Sequence, residues 1–293
     1  MSPVSISVVI PARNASETIA VAIESILWQT HRNLELIIVD DNSTDDTVEI
    51  ARKYATADDR VRVCALPRDD PQRIDWNGTN INAGWTARNY GMERAEGEWI
   101  TFQDSDDVSL LNRIRVQHDF AVKHESSHVC VDWQKYAPQH LGKRLDVERI
   151  RIEHGEDSLV KKPAEILALA RRSKGFIPRH FRWLYQSVPH RIRIRRIARD
   201  LFFGDMHAHY PGASNCPLVR AAIARKVGFR PLSQRVWPSR RGRGADRDFN
   251  FAVAENVGDS ISVRLPLYLW RHNGPNHPAY SGEEYQPVRS AGA

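Results

Sequence analysis

The sequence predicts an α/β fold, a mainly parallel sheet of the Rossmann-like kind flanked by helices. Three observations predict it. Short β-branched apolar runs alternate with amphipathic stretches through the first 134 residues. Those runs end in Pro, Asp or Asn. The helical stretches between them suit the crossovers that parallel strands require.

The elements follow in order. Val4 to Ile10 is a buried strand that Pro11 ends, and Ser16 caps a helix whose apolar positions Ile19, Ala22, Ile23, Ile26 and Leu27 share one face. Leu34 to Val39 is the second strand, closing in Asp40 and Asp41, and Ser43 or Thr44 caps a helix through Tyr54. Arg60 to Leu66 is the third strand, followed by a polar loop from Pro67 to about Asn82. A helix over Ala87 to Ala95 is closed by Gly97, and Glu98 to Phe102 is a strand leading into Asp104 to Asp107. Leu110 to His124 is helical and Val129 to Trp133 a strand. Farther on, Pro163 to Arg172, Ala221 to Val227 and Asp246 to Glu255 read as helices, Asn215 to Val219 as a short strand and Leu265 to Trp270 as an edge-like strand. The segment from Tyr136 to Gly212 is helical or irregular. Ligands of such sheets bind beyond the carboxyl ends of the strands, where Pro11 to Asn14, Asp40 to Asn42 and Asp104 to Asp107 gather.

Composition narrows the class. The 293 residues are 41% hydrophobic, enough for a packed core, and carry a net charge of +6, which favours anionic partners. From Arg171 to Arg199 there is no Asp or Glu. That basic run fits an anionic lipid surface or a phosphorylated acceptor, or else a solvated helix whose arginine stems cover apolar surface. Arg240, Arg241 and Arg243, set among glycines, suit a loop closing over a diphosphate. Cys64, Cys130 and Cys216 are too far apart for a zinc knuckle and odd in number, which argues for a reducing compartment. The opening MSPVSISVVIP has no signal-peptide pattern, so the expectation is a cytoplasmic protein, soluble or peripheral on the inner face of the membrane. No helix-turn-helix, zinc-finger or ribonucleoprotein motif supports a nucleic-acid partner.

Two carboxylates two residues apart at a strand end, Asp104 and Asp106, suit Mn²⁺ or Mg²⁺ shared with phosphate oxygens; an acidic turn capping the next helix is the plain alternative. The context is wider than this motif. SVVIPARN at Ser7 to Asn14, IIVDDNSTDDT at Ile37 to Thr47, ARNYG at Ala87 to Gly91 and GEWITFQDSDD at Gly97 to Asp107 stand in order, and the chain resembles the family-2 glycosyltransferases of the GT-A fold. VGFRP at Val227 to Pro231, ADRDF at Ala245 to Phe249 and LPLYLWRH at Leu265 to His272 look like weaker landmarks of the same family.

The resemblance implies an inverting, metal-dependent transfer from a nucleotide sugar, with a UDP-sugar as the expected donor, to a saccharide or lipid-linked saccharide of a cell-surface polysaccharide. It implies a donor half over 1–134 and an acceptor half over 135–293 within one continuous domain. Pro11, Ala12, Arg13, Asn14, Asp41, Arg88, Asp104 and Ser105 would bind the nucleotide, with Asp40 supporting the loop. Asp104, Asp106 and His272 would hold the cation. Asp246 matches the position of the base, with Asp248 as the alternative, although Ala245 stands where the family has Glu. Asp246 as a simple helix cap, and His272 as a surface side chain, remain open beside these roles. Two other readings stand beside the transferase: a sugar-phosphate nucleotidyltransferase, which the lack of glycine in Pro11 to Ser16 disfavours, and a nucleotide-sugar binder that has lost catalysis.

Overall fold

The computed structural model describes residues 5–69, 84–174, 208–231, 234–237 and 244–271. The elements in chain order are β1 (Ile6–Ala12), α1 (Ile19–Leu27), β2 (Leu34–Asp40), α2 (Thr47–Ala57), β3 (Val61–Ala65), α3 (Trp85–Arg94), β4 (Trp99–Phe102), β5 (Val108–Ser109), α4 (Arg113–Lys123) and β6 (His128–Lys135). They continue with α5 (Val147–His154), α6 (Glu156–Leu159), β7 (Val160–Lys161), α7 (Pro163–Lys174), β8 (Leu218–Arg220), α8 (Ala221–Val227), α9 (Ala245–Val257) and β9 (Ile261–Trp270).

The strands form one sheet in the order β3-β2-β1-β4-β8-β6-β9-β5, with β7 also on β9. β3, β2, β1 and β4 are mutually parallel, as are β6 and β9. The short β8 is antiparallel to both β4 and β6, so the two parallel groups share one direction. The mainly parallel α/β sheet expected from the sequence is therefore present.

Apolar side chains cover both faces. One core joins Val8, Ile10, Ile23, Leu36, Ile38, Ile114 and Leu267, and the other joins Val9, Ile37, Val39, Ala87, Phe102, Phe229 and Phe249. The β1 and β2 strands show no polar alternation because helices cover both sides, as buried parallel strands require.

Several boundaries differ from the sequence reading for local reasons. β1 runs through Pro11 to Ala12. β4 leaves β1 after Phe102, where the Gln103 N–H donates to the Val9 carbonyl. The missing Pro11 N–H therefore faces no partner strand. The first helix starts after Thr18 and the second after Asp46, neither of which makes a side-chain capping bond, while Ser16 and Asn14 bind the β2–α2 loop through Asp45, Ser43 and Thr44. β9 is no edge strand: it lies between β6 and β5 and also takes β7.

Gly97 does not close α3, which ends at Ala95 in extended backbone. It lets the turn lie against β1, since a Cβ there would sit 2.7 Å from the Ser7 nitrogen, and its own N–H donates to Ser7 Oγ at 2.8 Å. Backbone cannot yield as a side chain does. Gly97→Ala is expected to cost about 1–3 kcal/mol, read as a lower urea midpoint at unchanged slope.

Candidate functional site

Three strand ends build the site. Asn14 after β1 and Asn42 after β2 have φ of 46° and 57°, left-handed values that asparagine tolerates better than most residues. They bend both strand ends into one polar rim. Ala12 is buried, and its carbonyl accepts the Asp41 N–H at 2.8 Å. Arg13 Nη1 donates to the Asp41 carbonyl at 2.6 Å and to Asp69 at 3.3 Å. Asp41 is buried, and Asp40 accepts the Ser43 N–H, which makes it a loop support as expected. Pro11, Ala12, Arg13, Asn14 and Asp41 thus share one rim.

The ARNYG run resolves into separate tasks. Ala87 joins the core, and Gly91 packs so close to β1 that a Cβ would fall 2.4 Å from Val9 Cγ1. Asn89 holds Phe229 by two 2.8 Å bonds, Nδ2 to its carbonyl and Oδ1 from its N–H. Arg88, 3% exposed, faces inward over the Phe229 ring. Its Nη2 donates to Asp104 Oδ1, and its Nη1 lies 3.4 Å from Asp246 Oδ1. Burial opposes the arginine charge, but Asp246 and Asp104 outweigh it and hold the Arg88 pKa above its usual value.

Beyond β4 the chain turns, and the Asp107 N–H donates to the Asp104 carbonyl at 3.2 Å. Asp104, Asp106 and Asp107 then offer carboxylate oxygens within 4.8 Å of one another. Ser105, between them in the turn, is buried. Asp107 is a member the sequence reading did not assign. Its Oδ1 accepts the Arg271 N–H at 2.7 Å, and its Oδ2 accepts the Tyr268 hydroxyl at 2.8 Å. Asn215 Nδ2 donates to Asp104 Oδ2 at 2.8 Å and approaches the Tyr268 oxygen at 2.9 Å. No described side chain donates a hydrogen bond to the Asp106 carboxylate. Burial, then the charge of Asp104, pushes its pKa up to about 6, and burial, then the charges of Asp106 and Asp104, raise Asp107 well above the carboxylate range. Three hard oxygen donors with too little positive charge around them fit a divalent cation such as Mn²⁺ or Mg²⁺. Asp107, Tyr268 and Asn215 supply the outer support that orients such ligands.

Asp246 sits in the first turn of α9, whose cap is Gly244, so it is not the helix cap. Oδ1 is buried and accepts no hydrogen bond. Burial raises its pKa while Arg88 opposes the rise. Asp248, the alternative base, is engaged on both oxygens. Its Oδ1 accepts the Val236 and Trp237 N–H groups at 2.5 and 2.9 Å, and its Oδ2 accepts Arg230 Nε at 2.7 Å. These bonds anchor the loop of Val236 and Trp237 to α9. His272, Arg240, Arg241, Arg243 and the basic run beyond Lys174 lie outside the described residues.

Asn215 reads only as the start of a short strand; it precedes β8, and its bonds to Asp104 and Asp107 span more than 100 residues, so no local signal marks its role. Removing it leaves Asp104 and Asp107 short of one donor. Asn215→Ala is expected to weaken Mn²⁺ binding about tenfold or more, measured by isothermal titration calorimetry.

The profile of glycosyl transferase family 2 matches residues 7–77 and 79–203. The chain belongs to this family. It is 39% identical over 115 residues to the UDP-Glc:alpha-D-GlcNAc-diphosphoundecaprenol beta-1,3-glucosyltransferase WfaP of Escherichia coli, an overlap of 39% of this chain and 40% of WfaP. The chain spans less than half the length of the curated relatives it matches. S. aureus TarS 1-349 in complex with UDP-GlcNAc superposes with a TM-score of 0.57 at 16% identity, over 92% of this chain and 59% of TarS. The mannosyltransferase PcManGT of Pyrobaculum calidifontis, in complex with GDP-Man and Mn2+, gives 0.50 at 15% identity, over 94% and 59%. These likenesses establish the GT-A fold for this family member.

Proposed function

We propose that the chain transfers a sugar from a nucleotide diphosphate sugar, a UDP-sugar in the first instance, to a hydroxyl of a saccharide or lipid-linked saccharide, with inversion at the anomeric carbon. The observation that carries this reading is the opposition of two acidic groups across one buried arginine: Asp104, Asp106 and Asp107 on one side, Asp246 on the other. Pro11 to Asn14 and Asp41 would line the nucleotide, with Arg88 and Ser105 beside it. Asp104 and Asp106 would hold a divalent cation, with Asp107 behind them. A cation there supplies Lewis-acid stabilisation of the departing diphosphate. Asp246 would accept the proton of the acceptor hydroxyl as that oxygen attacks. One base acting on a direct displacement inverts the centre. The UDP and UDP-sugar named for TarS and WfaP, and the Mn2+ named for PcManGT, support the donor and metal assignments.

The donor half would be 1–134 and the acceptor half 135–293. The basic run 171–199 would meet anionic lipid on the cytoplasmic face and present a lipid-linked acceptor. No described helix is long and apolar enough to cross a membrane.

Thermal unfolding tests the reading. UDP with Mn²⁺ is expected to raise the melting temperature, and UDP alone to leave it nearly unchanged. A ligand at a hundred times its Kd contributes about 2.7 kcal/mol. Asp106→Asn is expected to abolish that gain. The same change should stabilise the metal-free protein at pH 7 by about 1 kcal/mol, because it removes a half-buried charge repelled by Asp104. Equal stabilisation by UDP with and without metal, in both proteins, would overturn the assignment.

A further inference from the structure

The carboxyl ends of β6 and β9 carry aromatic side chains that the donor chemistry does not use. Trp133 and Trp270 meet edge to face, with ring centroids 5.2 Å apart and 80° between their planes. Both keep part of their surface exposed, whereas Trp99 and Trp237 are sealed in the core at 2% and 1%. Trp270 immediately precedes Arg271. That arginine donates from its backbone to Asp107 Oδ1 at 2.7 Å and from Nε to the Asp106 carbonyl at 2.9 Å. Its guanidinium lies over the Tyr136 ring at 4.5 Å, and the Tyr136 N–H donates to the Trp270 carbonyl at 2.8 Å. The aromatic pair is therefore continuous with the carboxylate turn.

A pyranose presents two chemistries. Its hydroxyls seek hydrogen bonds, and its axial C–H groups make an apolar, slightly positive face. The face of an indole is large, apolar and negative in its quadrupole, and so complements the C–H face. Binding sites of this kind pair broad apolar walls with a few polar groups that fix orientation. Half-exposed tryptophans at a sheet's ligand end offer such a wall, and Arg271 ties it rigidly to the carboxylates.

We infer that Trp133 and Trp270 form a carbohydrate subsite that seats the acceptor's sugar ring beside the carboxylate cluster. This inference rests on the transferase reading above. The tests separate the two. Protein labelled with 5-fluorotryptophan gives fluorine resonances for Trp133 and Trp270, assigned by Trp133→Phe and Trp270→Phe. Methyl β-D-glucopyranoside, methyl N-acetyl-β-D-glucosaminide and methyl α-D-mannopyranoside are titrated in the presence of UDP and Mn²⁺, with sorbitol as the control polyol. At least one glycoside is expected to shift both resonances saturably while sorbitol does not. Trp270→Ala is expected to weaken that glycoside at least tenfold, and Trp270→Phe to restore most of the affinity. If no glycoside moves either resonance, or sorbitol moves them equally, the subsite is overturned, even where UDP with Mn²⁺ still raises the melting temperature. Saturable glycoside shifts without any UDP-dependent stabilisation would uphold the subsite and sink the donor assignment instead.

Discussion

Asp246→Asn is expected to lower kcat for transfer, or for hydrolysis of the sugar nucleotide where water is the acceptor, by about 10²–10⁴-fold. Donor affinity should change far less. The asparagine keeps the size of the carboxylate but cannot take the acceptor proton. Two structural facts favour a clean result. Asp246 Oδ1 accepts no hydrogen bond, so the substitution breaks no bonded network through that atom. The α9 cap is Gly244, so the helix start does not depend on the side chain. Loss of the Asp246 charge also removes one of the two carboxylates that hold Arg88, while Asp104 remains. The measurement is single-turnover kinetics beside calorimetric UDP–Mn²⁺ binding. Full activity in Asp246→Asn would remove the base mechanism. Asp248→Asn is expected to behave differently. Its amide keeps one oxygen for the Val236 and Trp237 N–H groups but sets an NH2 against Arg230 Nε, so its damage should appear as lower stability.

The second large effect concerns acid stability. His128 is fully buried, bonded through Nε2 to Asn250 Oδ1 at 2.8 Å and through Nδ1 to Ser260 Oγ at 2.9 Å. Burial pushes its pKa down to about 4, and Asn250 and Asp259 only partly counter this. An unfolded histidine titrates near its ordinary value of about 6.5. The unfolded chain therefore binds more protons between these two values. The His128 contribution is fully present above about 6.5 and is lost as the pH falls to about 4, amounting to about 3 kcal/mol. Asp106 acts oppositely in the metal-free protein, because its folded pKa is raised. The comparison is thus between wild type and His128→Gln, in which the carboxylate effects cancel. Urea unfolding from pH 7 to pH 4 should show a steeper loss in the wild type by about that amount. Parallel curves would mean that His128 is not buried neutral.

The buried histidine matters for the site as well. Asn250 Nδ2 donates to the Asp246 and Ser214 carbonyls, both at 2.6 Å. Ser214 precedes Asn215, which holds Asp104. Asp246 and the carboxylate turn are fixed through neighbouring residues of one loop.

What the sequence revealed follows from how local each signal is. The β1, β2 and β4 strands are near-continuous apolar runs, and Asp41, Arg88, Asp104 and Asp106 stand at their ends or on the adjoining helix. Local patterning marked the acidic strand ends, and the resemblance supplied Arg88. Asp107 was in plain view within DSDD, but its bonds to Tyr268 and Arg271 span more than 160 residues. Such a link leaves no periodic trace. β9 reads as an edge because Arg264 and Pro266 interrupt its apolar run, whereas β5, β6 and β7 all pair with it. Asp248 stood as the alternative to Asp246, and on a helix their two-residue spacing turns the two side chains roughly 200° apart.

β8 has three residues, yet it is the only strand joining β4 to β6 among the described residues. The portion of chain expected to grip the donor is thus stitched closed by a strand from the other portion. Cutting the polypeptide near residue 134 would open a gap in the middle of the sheet rather than free a self-sufficient module. Exchange of acceptor-side segments between relatives would then succeed only when the graft brings its own copy of this seam.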